Sequence, residues 1–299
     1  MVLCHTHYTN TQSCLIGMEE PLELILSNSS GQFSWLSVRK KNKIIHICMG
    51  NRGYRGKGIN CLYWNKGPTF LGNKQSDIET IIKDHNPHVL GLGEANFLRE
   101  HNLDAVKQNG YDLHLDACVD DSQLGVARVA VYTHNSIRVK RRHDLECKNV
   151  SAVWLECGLP HQKKILLCVG YRQWRLMGQK DNTSASINQQ LARWESFLEM
   201  WEKALAEDKE VITTLDANLD FLTWRDDDLP PNHSSVKLRP LTDALFHKIM
   251  PLGVSQLIKS ATRVASGQPK SGLDHLYTNQ PDKLSSVQTF SSQVCPIIS

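Results

Sequence analysis

An α/β domain of two β-sheets with helices outside them is predicted, and three observations predict it. Apolar, β-branched runs alternate along the chain with segments of helical period. Four such runs, YDLHLDA, VARVAVYTH, SAVWLECGL and KKILLCVGY, follow one another directly, whereas other strand groups are separated by helices. No internal repeat and no long low-complexity stretch interrupts the pattern.

Residues 1–43 show no clear period and read as a tail or linker. Met18 to Leu26 has some amphipathic character until SNSSGQ breaks it, and Arg39, Lys40, Lys41 and Lys43 close the segment. The domain is placed at 44–299. KIIHICMG is Ile-rich and strand-like. A glycine-rich loop, NRGYRGKG, leads to the strand INCLYWN. Ile78, Ile81 and Ile82 predict a helix over Lys74–His85, with Ser76 as N-cap, Glu79 three residues on, and Pro87 as the stop. HVLGLGE reads as a buried strand and His101–Gln108 as a short helix. Ile187, Leu191, Trp194, Phe197, Leu198, Trp201 and Leu205 trace one face of the longest helix, about Ala185–Glu207. EVITTLDAN is another buried strand, Asp243–Met250 a helix, and SGLDHLYTN and SVQTF late strands.

The chain has 299 residues, 40% hydrophobic and 22% charged, an ordinary globular composition. No run of about 18 apolar residues marks a membrane span, and the N-terminus has no signal-peptide pattern. The expectation is a nuclear or cytoplasmic protein, not secreted and without a membrane partner. Nine cysteines, an odd count with no CxxC pair, read as buried thiols in a reducing compartment. A net charge of +3 permits a nucleic-acid partner without demanding one. Oligomeric state is not legible.

Several strand ends carry polar residues suited to phosphate chemistry. Glu94 closes HVLGLG, and a carboxylate at a buried strand end needs a partner such as a hard divalent cation, or else faces water. Asp216 and Asn218 close EVITTLDAN, and a spacing of two places them on one face of a strand. An acid and an amide there can orient a water and bond a phosphate oxygen; a turn explains the pair equally well. Asn65 ends INCLYWN, with the same ambiguity. Tyr171 and Arg172 follow KKILLCVG; a phenol can donate to a phosphate and a guanidinium can grip one as a fork. Thr262 and Arg263 can contact backbone phosphates. Asp274 stands in a strand, where it can hold a histidine, but His275 beside it points to the opposite face and reads as structural. Two basic groups, Arg52–Arg55–Lys57 and Lys140–Arg141–Arg142, are either phosphate contacts or solvated faces.

In this order the motifs INCLYWN, GLGEAN, GYR, LDAN, ATR and SGLDH resemble the endonuclease/exonuclease/phosphatase superfamily. The nearest resemblance is to the apurinic-type endonuclease of non-LTR (LINE-like) retrotransposons, over about Ile44–Asn279. The resemblance implies a four-layer α-β-β-α (DNase I-like) sandwich, DNA as partner, and Mg²⁺ as cofactor with Mn²⁺ as the alternative. It implies Glu94 and Asn65 as metal residues and Asp216 as the residue that orients the attacking water. Asn218 and Tyr171 would bond the scissile phosphate, Arg172, Thr262 and Arg263 would bind phosphate or DNA, and Asp274 would pair with the catalytic histidine. That histidine belongs to a Ser-Asp-His motif downstream; here the chain reads FSSQVCPIIS, and no histidine follows His275. Leu215 also stands where the family often has glycine. The expectation is therefore a domain lacking its last strand and impaired as a nuclease. A non-catalytic binding remnant, and a phosphatase or phospholipase of the same superfamily, are the alternatives.

Overall fold

The computed structural model describes residues 43–49, 59–67, 70–98, 101–116, 126–147, 150–158, 164–173, 184–221, 238–265 and 268–291. Of the tail read over residues 1–43, residues 1–42 lie outside the described residues, as do Arg52, Arg55 and Lys57, and Lys43 belongs to the first strand.

The strands are β1 (Lys43–Met49), β2 (Asn60–Asn65), β3 (Val89–Gly93), β4 (Phe97–Leu98), β5 (Tyr111–Leu115), β6 (Val126–Ala127), β7 (Ala130–His134) and β8 (Arg138–Arg141). They continue with β9 (Ser151–Gly158), β10 (Ile165–Tyr171), β11 (Glu210–Asp216), β12 (Ser255–Gln256), β13 (Arg263–Ala265), β14 (Gln268–Ser271), β15 (Asp274–Thr278) and β16 (Leu284–Ser291). The helices are α1 (Gln75–His85), α2 (Ser184–Leu205) and α3 (Arg239–Ile249). Two six-stranded sheets form, ordered β16-β1-β2-β3-β7-β5 and β12-β15-β11-β10-β9-β8, with β13–β14 and β4–β6 as separate ribbons.

Side-chain alternation builds the layers. Cys61 and Tyr63 of β2 pack with Leu167 and Val169 of β10 and with Ile212 and Leu276, forming the core between the sheets. Leu62, Trp64, Leu90 and Leu92 point the other way and meet Ile78 and Ile81 of α1. On the far side, Leu166, Cys168, Val211 and Tyr277 meet Trp194, Phe197, Trp201 and Leu245 of α2 and α3. Helix, sheet, sheet and helix follow in turn, the four layers expected. Every residue predicted for the inner face of α2 is buried or packed against that core.

Local departures have physical reasons. Ser76 does not cap α1; a 3-10 turn over Leu71–Lys74 feeds straight into the helix, so Lys74 is the N-cap and no side chain bonds there. VARVAVYTH splits into β6 and β7 because Arg128 O accepts from Ala95 N (2.8 Å) and Val129 N donates to Asp116 Oδ1 (2.9 Å), so both leave the ladder. The short helix is a 3-10 turn, Leu103–Val106, capped by Asn102. α3 starts earlier than read, with Pro240 in its first turn, where a missing N–H costs nothing. SVQTF lies in β16, which pairs antiparallel with β1 at the edge of the first sheet.

The two sheets approach closely at Gly91. A Cβ there would stand 2.8 Å from Val169 Cγ2 and 3.0 Å from Cγ1. Gly91→Ala is therefore expected to force the sheets apart and to lower stability by about 1–3 kcal/mol in urea unfolding. An unchanged midpoint would show that the seam tolerates a methyl group.

Candidate active site

Strand direction and alternation converge on one end of the seam. β2 and β3 run parallel and end there at Asn65 and Gly93, with Glu94 next. β10 and β11 also run parallel and end there at Tyr171 and Asp216, which are register partners. β15 runs antiparallel to β11 and starts there, Asp274 opposite Asp216. Counting by twos from the inter-sheet core, Asn65 follows Tyr63, Tyr171 follows Val169, Asp216 follows Ile212, and Asp274 precedes Leu276, so all four face the other sheet.

One hydrogen bond closes the seam. Asn65 Nδ2 donates to Asp216 Oδ2 at 2.6 Å, joining residues 151 apart in sequence. Gly67 N donates to Asn65 Oδ1 at 3.0 Å, which fixes the amide's orientation. Asn218 N donates to Asp216 Oδ1 at 3.1 Å, so both oxygens of that carboxylate are held. Thr262 Oγ1 accepts from Leu273 N and Asp274 N, each at 3.1 Å, and anchors the start of β15.

The loops leaving the strands are strained. Among the described residues only four non-glycine residues have positive φ. One, Asn86, ends α1; the others are Glu94 (54°), Asn96 (49°) and Asn218 (48°), all on loops of this site. Left-handed residues of this kind cost on the order of 1–3 kcal/mol each and persist where their surroundings hold them. Ala95 N, between two of them, bonds Arg128 O, and Arg128 Nη1 bonds Asn96 Oδ1.

Acids dominate the electrostatics. Burial, then Asp274, then Glu94 push the Asp216 carboxyl well above its usual range. Burial raises Asp274 to about 6, although Thr262, Asn65 and Tyr63 hold it down. Burial, Asp216 and Glu94 together raise the Tyr171 phenol, which stays a proton donor at any working pH. Lys66, 4% exposed, lies in the field of Glu94; burial lowers its ammonium to about 8 although Glu94 raises it.

Among the described residues no three acidic, histidine or cysteine side chains form a ready-made metal cage. A magnesium site needs none, since Mg²⁺ keeps several waters and takes one or two carboxylates. The donors here are all hard oxygens, and among the described residues the buried Asp274 Oδ1 meets no partner at full hydrogen-bond geometry. That oxygen beside Glu94 fits a cation better than a bare protein interior.

Asn65, Glu94, Tyr171, Asp216 and Asp274 thus come together as anticipated. Three residues depart from their expected parts. Arg172 is 3% exposed, and its guanidinium donates to Ala217 O, Gln190 Oε1 (3.1 Å) and Asn218 O (2.9 Å), so it braces the strand ends and does not face a phosphate. Thr262 is 2% exposed, its hydroxyl engaged by β15. Asn218 lies beyond the end of β11 in a left-handed turn, and its Nδ2 donates to Arg172 O at 2.7 Å. Strand alternation therefore does not set its direction. Arg263 is exposed. His275 is fully buried on the opposite face, bonded to Tyr277 Oη (2.6 Å) and Leu219 O (2.8 Å), and burial lowers it to about 4. In the second basic group, Arg141 pairs with Glu146, and Arg142 with Asp144 and Glu207. Tyr63, Lys66 and Gly93 were not anticipated; alternation back from Asn65 could have found Tyr63.

No family model and no curated protein matches this sequence. Solved structures do match. An AP endonuclease from Archaeoglobus fulgidus superposes with a TM-score of 0.50 at 14% identity, over 75% of this chain and 88% of that one. The endonuclease domain of TRAS1, a telomere-specific non-LTR retrotransposon, gives 0.47 at 13% identity, over 73% and 83%. AP endonuclease LMAP from Leishmania major gives 0.47 at 15% identity, over 73% and 78%. The likeness is one of fold: this chain folds as the Archaeoglobus fulgidus AP endonuclease does, at an identity too low to carry more.

The raised acids give a signed pH dependence. Unfolded aspartates titrate near about 3.9, and folded Asp274 near about 6. Between these values the folded chain holds a proton that the unfolded chain has lost, so this group's contribution to stability falls as pH rises. In EDTA, Asp274→Asn should therefore gain melting temperature relative to the parent as pH goes from 4 to 7. A gap that stays constant across that window would contradict the assignment.

Proposed function

We propose that the chain is a metal-dependent phosphodiesterase of the retrotransposon endonuclease type, nicking DNA by in-line attack of water. The observation that carries the reading is the Asn65–Asp216 bond across the seam, beside the Asp216–Asp274 pair and facing Glu94. These are the residues that the ordered motifs single out.

A divalent cation held by Glu94 and Asn65 would supply positive charge to the phosphate and its leaving oxygen. The chain's own residues do the rest. Asp216, with both oxygens fixed by Asn65 and Asn218, orients the attacking water and takes its proton. Tyr171 donates to a phosphate oxygen, and its raised phenol keeps that proton through the reaction. Arg172 holds Ala217 and Asn218 in place and so aims Asp216. Arg263 reaches DNA backbone from the exposed start of β13.

Among the described residues no imidazole bonds to Asp274, and His275 faces the other side of its sheet. A positioned acid/base group contributes about 10²–10⁴-fold in rate. The 299-residue protein should therefore nick supercoiled plasmid with Mg²⁺ by about that factor more slowly than typical enzyme turnover. EDTA should abolish the nicking, and Asp216→Asn should lower it at least about 10²-fold further. Intact plasmid together with release of phosphate from an inositol polyphosphate would replace the nuclease reading with that of a phosphatase.

A further inference from the structure

One phenol at the seam is unaccounted for by the motif order or the ladders. Tyr63 is 1% exposed, on the inward face of β2 between Cys61 and Asn65. Other buried tyrosines find a carbonyl: Tyr111 donates to Pro87 O at 2.7 Å and Tyr132 to Val106 O at 2.6 Å. Among the described residues neither Tyr63 Oη nor Asp274 Oδ1 meets a partner at full hydrogen-bond geometry. The groups that act on this phenol are those of the site: Asp274, Asp216, Glu94 and Tyr171. It is near enough to Asp274 to help hold that carboxyl down.

The neighbouring strand is shaped around this hydroxyl. A Cβ at Gly93 would stand 2.6 Å from Tyr63 Oη, closer than real contacts allow, and 3.5 Å from Cζ, an ordinary contact. Gly93 thus makes room for the oxygen and not for the ring; phenylalanine would fill the same space without requiring a bare Cα beside it. Burying a hydroxyl without a well-formed hydrogen bond and leaving a buried strand end without a side chain both disfavour the fold. Both costs fall where the acids meet, which a purely structural tyrosine does not explain.

We propose that Tyr63 is a positioning residue of the acid cluster. Its hydroxyl, admitted by Gly93, donates to the Asp274 carboxyl and keeps the acids of the two sheets aligned for a divalent cation. The phenol stays neutral and only shares its hydrogen. The inference rests on the metal-site reading above.

The test titrates Mn²⁺ calorimetrically into the full 299-residue protein and records its melting, for the parent, Glu94→Gln, Tyr63→Phe, Gly93→Ala and the Tyr63→Phe/Gly93→Ala double variant. Glu94→Gln should abolish Mn²⁺ binding. Tyr63→Phe should melt close to the parent, since the ring and its packing are kept, yet bind Mn²⁺ about tenfold more weakly. Gly93→Ala should lose Mn²⁺ affinity and melt several degrees lower, and that melting penalty should shrink in the Tyr63→Phe background, where the clashing oxygen is gone. Parent-like Mn²⁺ affinity in Tyr63→Phe, with Glu94→Gln silent, would overturn the role of Tyr63 alone. An undiminished Gly93→Ala penalty in the double variant would overturn the fit between the two residues. Equal Mn²⁺ binding by the parent and Glu94→Gln would remove the metal-site reading, and this inference with it.

Discussion

The bond from Asn65 Nδ2 to Asp216 Oδ2 is the interaction on which the rest of the site depends. It is the polar end of a seam that is otherwise apolar. Val169 meets Gly91, and Tyr63 and Cys61 meet the inward residues of the second sheet. Moving either strand by one residue would turn its whole polar set away from the seam, because strand side chains alternate with a period of two. The buried core between the sheets therefore sets the register, and the register sets the chemistry.

What is gathered there is unfavourable for a protein without a cation. Asp216 and Asp274 are cross-strand partners, a like-charged arrangement that disfavours a sheet. Glu94 adds to the field from a left-handed turn, and both aspartates are driven towards their protonated forms. Arg172 sits beneath this group and moderates Asp216, but its hydrogen bonds go to backbone carbonyls and Gln190. Its work is to fix the loop behind the acids. Strain and repulsion placed together at these strand ends mark a functional site more strongly than any one of the residues does.

Much of this was legible in the sequence, and the reason is geometric. Four of the site residues end or begin strands whose apolar neighbours already show the period of two. Knowing that Val169 and Ile212 are buried inward is enough to turn Tyr171 and Asp216 inward as well. His275 was legible as structural by the same rule. Arg172, Thr262 and Asn218 were misjudged because they lie past strand ends or among loops, where side-chain direction comes from local hydrogen bonds. A guanidinium that grips a phosphate and one forked onto carbonyls look the same in a string of letters. Tyr63 was passed over because a tyrosine in an apolar strand reads as packing. Only the gap at Gly93 shows where its oxygen goes. The break at Arg128 likewise needed a partner, Ala95, on another strand's exit loop.

The most direct test of the central claim is an anomalous difference map from crystals of the protein grown with Mn²⁺. A single site is predicted at the open end of the seam, with the Glu94 carboxylate and the Asn65 amide oxygen as protein donors at roughly 2.0–2.3 Å and water completing the shell. Manganese bound only at other surface carboxylates, with the Asn65–Asp216 bond intact and no density beside Glu94, would contradict the account.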